Sequence, residues 1–188
     1  ARESKAGEVL IACCDEAVYK VANSYGINVV NTNPGHISGS DRVFEALTKI
    51  DPLKKIETII NLQGDMPTIS SRAINSLINY KHSINSDIFT LANEIKDDDE
   101  KMDPNVVKVA ISKNNNDSYG KALYFSRAPI PYGNGPLFHH IGIYAYSRES
   151  LEKFIKLKAS ELELRESLEQ LRALEANMDI KVGIVDEF

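Results

Sequence analysis

Residues 61–67 read NLQGDMP and follow the apolar run Thr58-Ile59-Ile60. A carboxylate at the carboxyl end of a strand, here Asp65, presents a hard oxygen to a small cation such as Mg²⁺. One carboxylate is enough where substrate phosphates and waters complete the coordination shell. Gln63 can both donate and accept, which suits a sugar or ribose hydroxyl. The same spacing also describes a plain Gly-Asp turn ahead of a helix, and pattern alone leaves the two readings level.

Three further stretches carry side chains able to do chemistry. In HISGSDR (His36–Arg42), the Ser38-Gly39-Ser40 loop feeds a helix near Asp41 and offers N–H groups and hydroxyls to a base or phosphate. Gly39 permits a close approach that a Cβ would block, and Arg42 has a planar fork suited to a phosphate or carboxylate. An ordinary helix cap at Ser40 or Asp41 explains the stretch equally well. In HHIGIYAY, His140, Gly142, Tyr144 and Tyr146 alternate with Ile141, Ile143 and Ala145, so one strand face is polar. In ESLEQLR, Glu166, Glu169 and Gln170 stand at i, i+3 and i+4, one patch of a helix. Together they suit a polyhydroxylated ligand, although a solvated helix face and a structural histidine are the plainer alternatives. ALYFSRAPIPYG places Arg127 before two prolines, in an extended arm where it can meet an anion; Tyr132 and the prolines equally suit a subunit contact.

The elements that must hold these residues alternate. Strands are expected at 8–14, 27–30 and 58–62, with helices at 15–25, 41–50 and 70–81. Val18, Val21, Ala22 and Tyr25 recur at helical spacing in the first helix. Further strands are expected at 88–92, 106–111, 122–125, 141–146 and 180–185, and helices at 149–157 and 161–177, while 97–100 and 114–117 read as solvated loops. This rhythm predicts an α/β domain with a largely parallel sheet, whose ligands lie beyond the carboxyl ends of the strands. The net charge of −5 without a basic cluster excludes a broad nucleic-acid face, and no apolar run is long enough to span a membrane. Cys13 and Cys14 are adjacent, poor partners for a disulfide, and read as thiols packed in a strand core of a cytoplasmic protein.

In this order, HISGSDR, NLQGDMP, DPNVVKV, ALYFSRAPIPYG, HHIGIYAY and ESLEQLRALE resemble the CMP-Kdo synthetase (3-deoxy-manno-octulosonate cytidylyltransferase) family, across about residues 8–185. Each motif is weak alone, and six in one order are specific. The resemblance implies a three-layer Rossmann-like nucleotide-diphospho-sugar transferase fold, α/β, with a mostly parallel mixed sheet, helices on both faces and an arm in the second half. It implies one domain over 1–188, with a nucleotide half to about residue 95 and a sugar-binding, dimerising half from about residue 96. It further implies a bacterial, cytoplasmic homodimer that joins CTP to the eight-carbon acid Kdo, with Mg²⁺, giving CMP-Kdo and pyrophosphate for lipopolysaccharide synthesis.

Carried over by resemblance, Asp65 is the metal ligand and, with Gln63, the catalytic pair. Ser38, Gly39, Asp41 and Arg42 line the cytidine side. Gln63, Arg127, His140, Tyr144, Glu166, Glu169 and Gln170 line the Kdo side. The family's basic PARYxSTRLPxKPL-type loop and its TGVDTPEDL-like segment, source of a second metal carboxylate, have no counterpart in these 188 residues. The expectation is that both lie outside them. The neighbouring expectations are a related synthetase such as that for CMP-sialic acid, or a non-catalytic binding relative lacking the phosphate loop.

Overall fold

Asp15 closes the first strand, β1 (Ile11–Cys13), and starts the first helix, α1 (Glu16–Ser24), by accepting hydrogen bonds from the backbone of Ala17 and Val18. Those N–H groups have no partner inside the helix, so the cap replaces water. Gly26, at φ +63°, turns the chain toward β2 (Val29–Asn31). Ser38, rather than Ser40 or Asp41, caps α2 (Gly39–Ile50) by accepting from the Asp41 N–H. β3 spans Thr58–Leu62, as the sequence predicts, and Ser70 caps α3 (Ser71–Ser83). The remaining elements are β4 (Ile88–Glu94), α4 (Asp98–Met102), β5 (Lys108–Ser112), β6 (Tyr119–Ser126), β7 (Phe138–Ser147), α5 (Arg148–Phe154), α6 (Glu161–Glu166), α7 (Gln170–Glu175) and β8 (Ile180–Ile184). The computed structural model describes residues 1–114 and 117–186.

β1 and β2 form a parallel pair, and the other strands form a six-stranded sheet in the order β3-β7-β4-β8-β6-β5. Its two faces bury separate apolar clusters. One, containing Ile141, Ile143 and Ala145, packs against Ala73, Ile74 and Leu77 of α3. The other gathers Leu47 of α2, Leu151 and Phe154 of α5, and Leu171 and Ala173 of α7 around Tyr146 and Phe125. The α/β class with helices on both faces is therefore as expected. The mostly parallel pairing is not: within the larger sheet only β4–β8 is parallel, and β7 runs antiparallel between β3 and β4. Continuous apolar runs report that both faces are covered, and carry no information on strand direction.

Other expectations also shift. The helix expected over 161–177 is broken at Ser167, which adopts the left-handed conformation (φ 55°, ψ 47°) and separates α6 from α7. Glu166, Glu169 and Gln170 therefore do not share one helical patch. The α1 stripe faces outward, with Val18, Val21 and Tyr25 exposed and Ala22 buried, because this helix packs chiefly on the small β1–β2 pair. Cys13 is buried but Cys14 is exposed, and both are free. The acidic stretch at 97–100 is not a loop throughout, since Asp97 caps α4. Of the 114–117 run, residues 115 and 116 lie outside the described residues.

Candidate active site

The end of β3 lies beside β7, with Asn61 opposite Tyr144 and Leu62 opposite Ile143. Asn61 is buried and polar, and it starts a connected set of hydrogen bonds. Gln63 Nε2 donates to Asn61 Oδ1 (3.3 Å), Asn61 Nδ2 donates to Ser40 Oγ (3.4 Å), and Ser40 Oγ donates to Glu169 Oε2 (3.1 Å). The first turn of α2, the end of β3 and the start of α7 thus converge. Gly39 makes the convergence possible: a Cβ there would stand 3.1 Å from Gln63 Oε1 and 3.3 Å from its Nε2. Its close approach serves a neighbouring side chain. The hydroxyls of the Ser-Gly-Ser turn are likewise engaged by protein. Ser38 Oγ accepts from Asp41 N (3.1 Å) and lies 3.0 Å from Asp41 Oδ2, with Glu169 beside it.

Glu169 is the least compensated group of this set. Burial pushes its carboxyl up, against the hydrogen bonds from Ser38 and Ser40 and the charge of Arg172. Its Oε1 is buried without a hydrogen-bond partner among the described residues. Arg172 stands 3.8 Å away, but its guanidinium is committed to Glu163, through Nε to Oε2 at 2.7 Å and through Nη2 to Oε1. Gln170, the next residue, is buried, and its side-chain amide has no partner among the described residues. A buried amide and a half-satisfied carboxylate, side by side, are groups prepared for a polar ligand.

β7 supplies the adjoining wall. The ring of Tyr144 lies 6.1 Å from Tyr146 and 5.5 Å from His140, and Phe125 meets His140 edge-on at 4.8 Å. Burial, with the neighbouring His139, holds His140 at about 3, so the imidazole is neutral. Burial and the nearby Glu169 push both tyrosine hydroxyls up, so they remain protonated donors.

Three expected residues are occupied by structural work. Glu166 accepts from Ser126 Oγ (2.9 Å), Tyr124 OH (3.4 Å) and the Arg127 N–H (3.0 Å). Arg127 donates to the carbonyls of Glu166 (2.8 Å), Pro104 (2.9 Å) and Ser167 (3.5 Å), leaving part of its five-donor fork for an anion. Arg42 donates to Thr32 Oγ1 (2.7 Å), whose hydroxyl in turn donates to the Cys13 carbonyl at the end of β1. It therefore stands at the carboxyl edge of the small sheet.

Asp65 sits in the turn closed by Met66 N to the Gln63 carbonyl (3.3 Å), exposed and without a partner among the described residues. No group of three or more His, Cys, Asp or Glu able to hold a metal occurs among them. A lone, unpaired carboxylate at a strand end fits Mg²⁺ bound largely by substrate phosphate and water, and does not fit a cage built from protein alone. The open cleft of about 370 Å³ between Lys101 and the arm at Pro129–Leu137 shares no residue with this set. Sequence reasoning took Ser40 only as part of the 38–42 loop and missed Asn61 and Arg172 as site residues. All three lay inside quoted motifs, and the signal of Ser40 and Asn61 was a polar side chain at a buried position of a helix start and a strand.

The cytidylyltransferase family profile matches residues 1–180. The 3-deoxy-manno-octulosonate cytidylyltransferase of Bartonella bacilliformis is 50% identical over 189 residues, covering 99% of this chain and 76% of the relative. That of Rhizobium etli is 49% identical over 186 residues, covering 99% and 74%. Among solved structures, a CMP:2-keto-3-deoxy-manno-octonic acid synthetase complexed with CTP superposes with a TM-score of 0.87 at 33% identity, over 98% of this chain and 75% of that one. A mannose-1-phosphate geranyltransferase from Thermus thermophilus superposes at 0.61 with 11% identity over 95% and 59%, a likeness of fold alone. The chain belongs to the cytidylyltransferase family, among the 3-deoxy-manno-octulosonate cytidylyltransferases.

Proposed function

We propose that the protein activates Kdo with CTP, forming CMP-Kdo and pyrophosphate. The observation that carries the reading is the hydrogen-bonded path Gln63–Asn61–Ser40–Glu169, which joins the nucleotide-side turn to the sugar-side pocket. The names of the similar proteins favour Kdo over sialic acid. The anomeric hydroxyl of Kdo attacks the α-phosphorus of CTP; a sugar O–P bond forms, the bond to pyrophosphate breaks and the hydroxyl proton is released. No covalent nucleophile is required, so the chain's work is positioning and charge neutralisation.

In this reading the turn 38–42 holds the cytidine side and Gln63 stands between nucleotide and sugar. Tyr144, His140, Glu169 and Gln170 grip the sugar hydroxyls, while Glu166 fixes Arg127 at the mouth of the arm, near the substrate carboxylate. Asp65 is the ligand for a divalent cation, which we take to be Mg²⁺. That ion would neutralise phosphate charge and acidify the sugar hydroxyl. We further ascribe to the protein a cytoplasmic location, supported by its two free thiols, and a homodimer through the arm, supported by the full exposure of Tyr132.

Asp65→Asn tests the reading, because it keeps the shape of the turn and removes the charge. CMP-Kdo formation at saturating Mg²⁺ is expected to fall at least about a hundredfold, the scale of one lost preorganised charge, with the fold unchanged by circular dichroism. Turnover within a few-fold of wild type would sink the metal assignment. A wild-type protein that binds neither CTP nor Kdo by calorimetry would sink the function.

A further inference from the structure

Thr90 is fully buried in β4, at the point where the register against β7 shifts. Its hydroxyl lies 2.8 Å from the Ile143 carbonyl, 3.1 Å from the Ile141 carbonyl and 3.0 Å from His140 Nε2. We propose that Thr90 is a positioning residue that fixes His140 as the Nε2–H tautomer, leaving Nδ1 as an acceptor for a hydroxyl of the acid sugar. The inference rests on the function proposed above.

A hydroxyl has one proton, and the two carbonyls can only accept. The Thr90 proton therefore goes to the carbonyls, with Ile143 the closer. The oxygen lone pairs are then left for the imidazole, which must donate from Nε2. The opposite arrangement would aim the threonine lone pairs at two buried carbonyl oxygens and leave them without this donor, a costly outcome in a dry interior. The ring has little freedom to choose otherwise. Phe125 of β6 meets it edge-on, the Tyr144 ring lies tilted at 5.5 Å, and His139 is its neighbour along β7. Lys108 of β5, a buried cation nearby, is tied to the carbonyls of Asp103 (2.6 Å) and Arg127 (3.3 Å). Burial keeps the imidazole neutral, with its ordinary titration displaced to about 3.

No hydrogen bond reaches His140 Nδ1 among the described residues. A neutral acceptor selects a ligand group that can donate. Nδ1 attracts a sugar hydroxyl and repels a carboxylate, whose oxygens only accept. His140 therefore reads the hydroxyl pattern of the acid sugar, and its carboxylate must be bound elsewhere.

The test is nitrogen NMR of histidine-labelled protein, with Kdo and CTP affinities by calorimetry, for wild type, Thr90→Val and Thr90→Ser. Wild type is expected to show His140 protonated at Nε2 and unprotonated at Nδ1 across pH 5–8, a window well above its displaced titration. The near-isosteric Thr90→Val is expected to show mixed tautomers and to bind Kdo about tenfold more weakly, the worth of one hydrogen bond, with CTP affinity unchanged. Thr90→Ser is expected to restore both. A proton on Nδ1 in the wild type overturns the proposal, as does a Thr90→Val protein with its tautomer and Kdo affinity intact. The spectra need no ligand, so the two failures separate. Nε2–H without any Kdo binding overturns the functional reading and with it the recognition role. Kdo binding with the wrong tautomer overturns the Thr90 assignment alone.

Discussion

Replacing Ser40 by alanine removes the hydroxyl at which three elements meet. Ser40 is 2% exposed, donates to the Glu169 carboxylate at 3.1 Å and accepts from Asn61 at 3.4 Å. A hydrogen bond to a charged group contributes roughly 1.5–3 kcal/mol, and alanine in a helix returns up to about 0.5 kcal/mol of propensity. The expected net loss is about 2 kcal/mol. For a chain of this size each kcal/mol shifts Tm by about 2–4 °C, so melting should fall by about 4–8 °C. The pH dependence gives an independent reading. Because burial already raises the Glu169 carboxyl above its ordinary 4.5, the folded state holds that proton more tightly than the unfolded chain. Stability therefore declines as pH rises from 4.5 to the folded value. Losing the Ser40 donor pushes the carboxyl further up, so the decline must extend to higher pH in Ser40→Ala. Urea titrations at several pH values between 4 and 8 measure both effects. A stability change below about 0.5 kcal/mol, the level of an ordinary surface substitution, with an unchanged pH profile would refute the reasoning.

Two further outcomes follow from the charged pairs. Arg172→Ala leaves the buried Glu163 carboxylate without its guanidinium, in a pair whose side chains are 10% and 11% exposed. Breaking such a pair costs about 3–5 kcal/mol, and thermal melts should fall by about 10 °C. Glu45 is held at about 2, first by its bond to Lys49, then by the Asn33 N–H and His36. A depressed carboxyl stabilises the folded state above its unfolded value of 4.5, and that contribution is lost as pH falls toward 2. Melting profiles of Glu45→Gln should therefore lack the wild-type decline across that window.

The helix starts at Asp15 and Ser70 and the third strand were legible in the sequence because their causes are local. Asp15 and Ser70 can satisfy bare helix N–H groups from their own positions, and the apolar run at Thr58–Leu62 ends at a turn. Strand direction was not legible, because β7 reaches its place between β3 and β4 from a distant part of the chain, and its apolar face would suit either direction. The break at Ser167 was hidden for a different reason: Leu164, Leu168 and Leu171 keep helical spacing straight through it. Only tertiary packing reveals that Leu168 N–H bonds back to the Glu163 carbonyl at 3.2 Å while the backbone between them turns. Within the site, residue types were readable and their allegiances were not. Gly39, Ser38, Arg42 and Glu166 were chosen as ligand-facing groups and also hold other parts of the protein, namely Gln63, Asp41, Thr32 and the Ser126–Arg127 corner, whereas Gln170 has no side-chain partner among the described residues.

The left-handed residue between α6 and α7 has a consequence for how this segment tolerates change over evolutionary time. On one side of Ser167, Glu166 fastens the beginning of the arm; on the other, Glu169 fastens the first turn of α2. Two carboxylates three positions apart in sequence thus rivet regions drawn from opposite halves of the chain. A residue added or deleted between them would shift one carboxylate relative to the other and unfasten one rivet while leaving the other in place. Substitution can drift through this stretch, but a length change cannot.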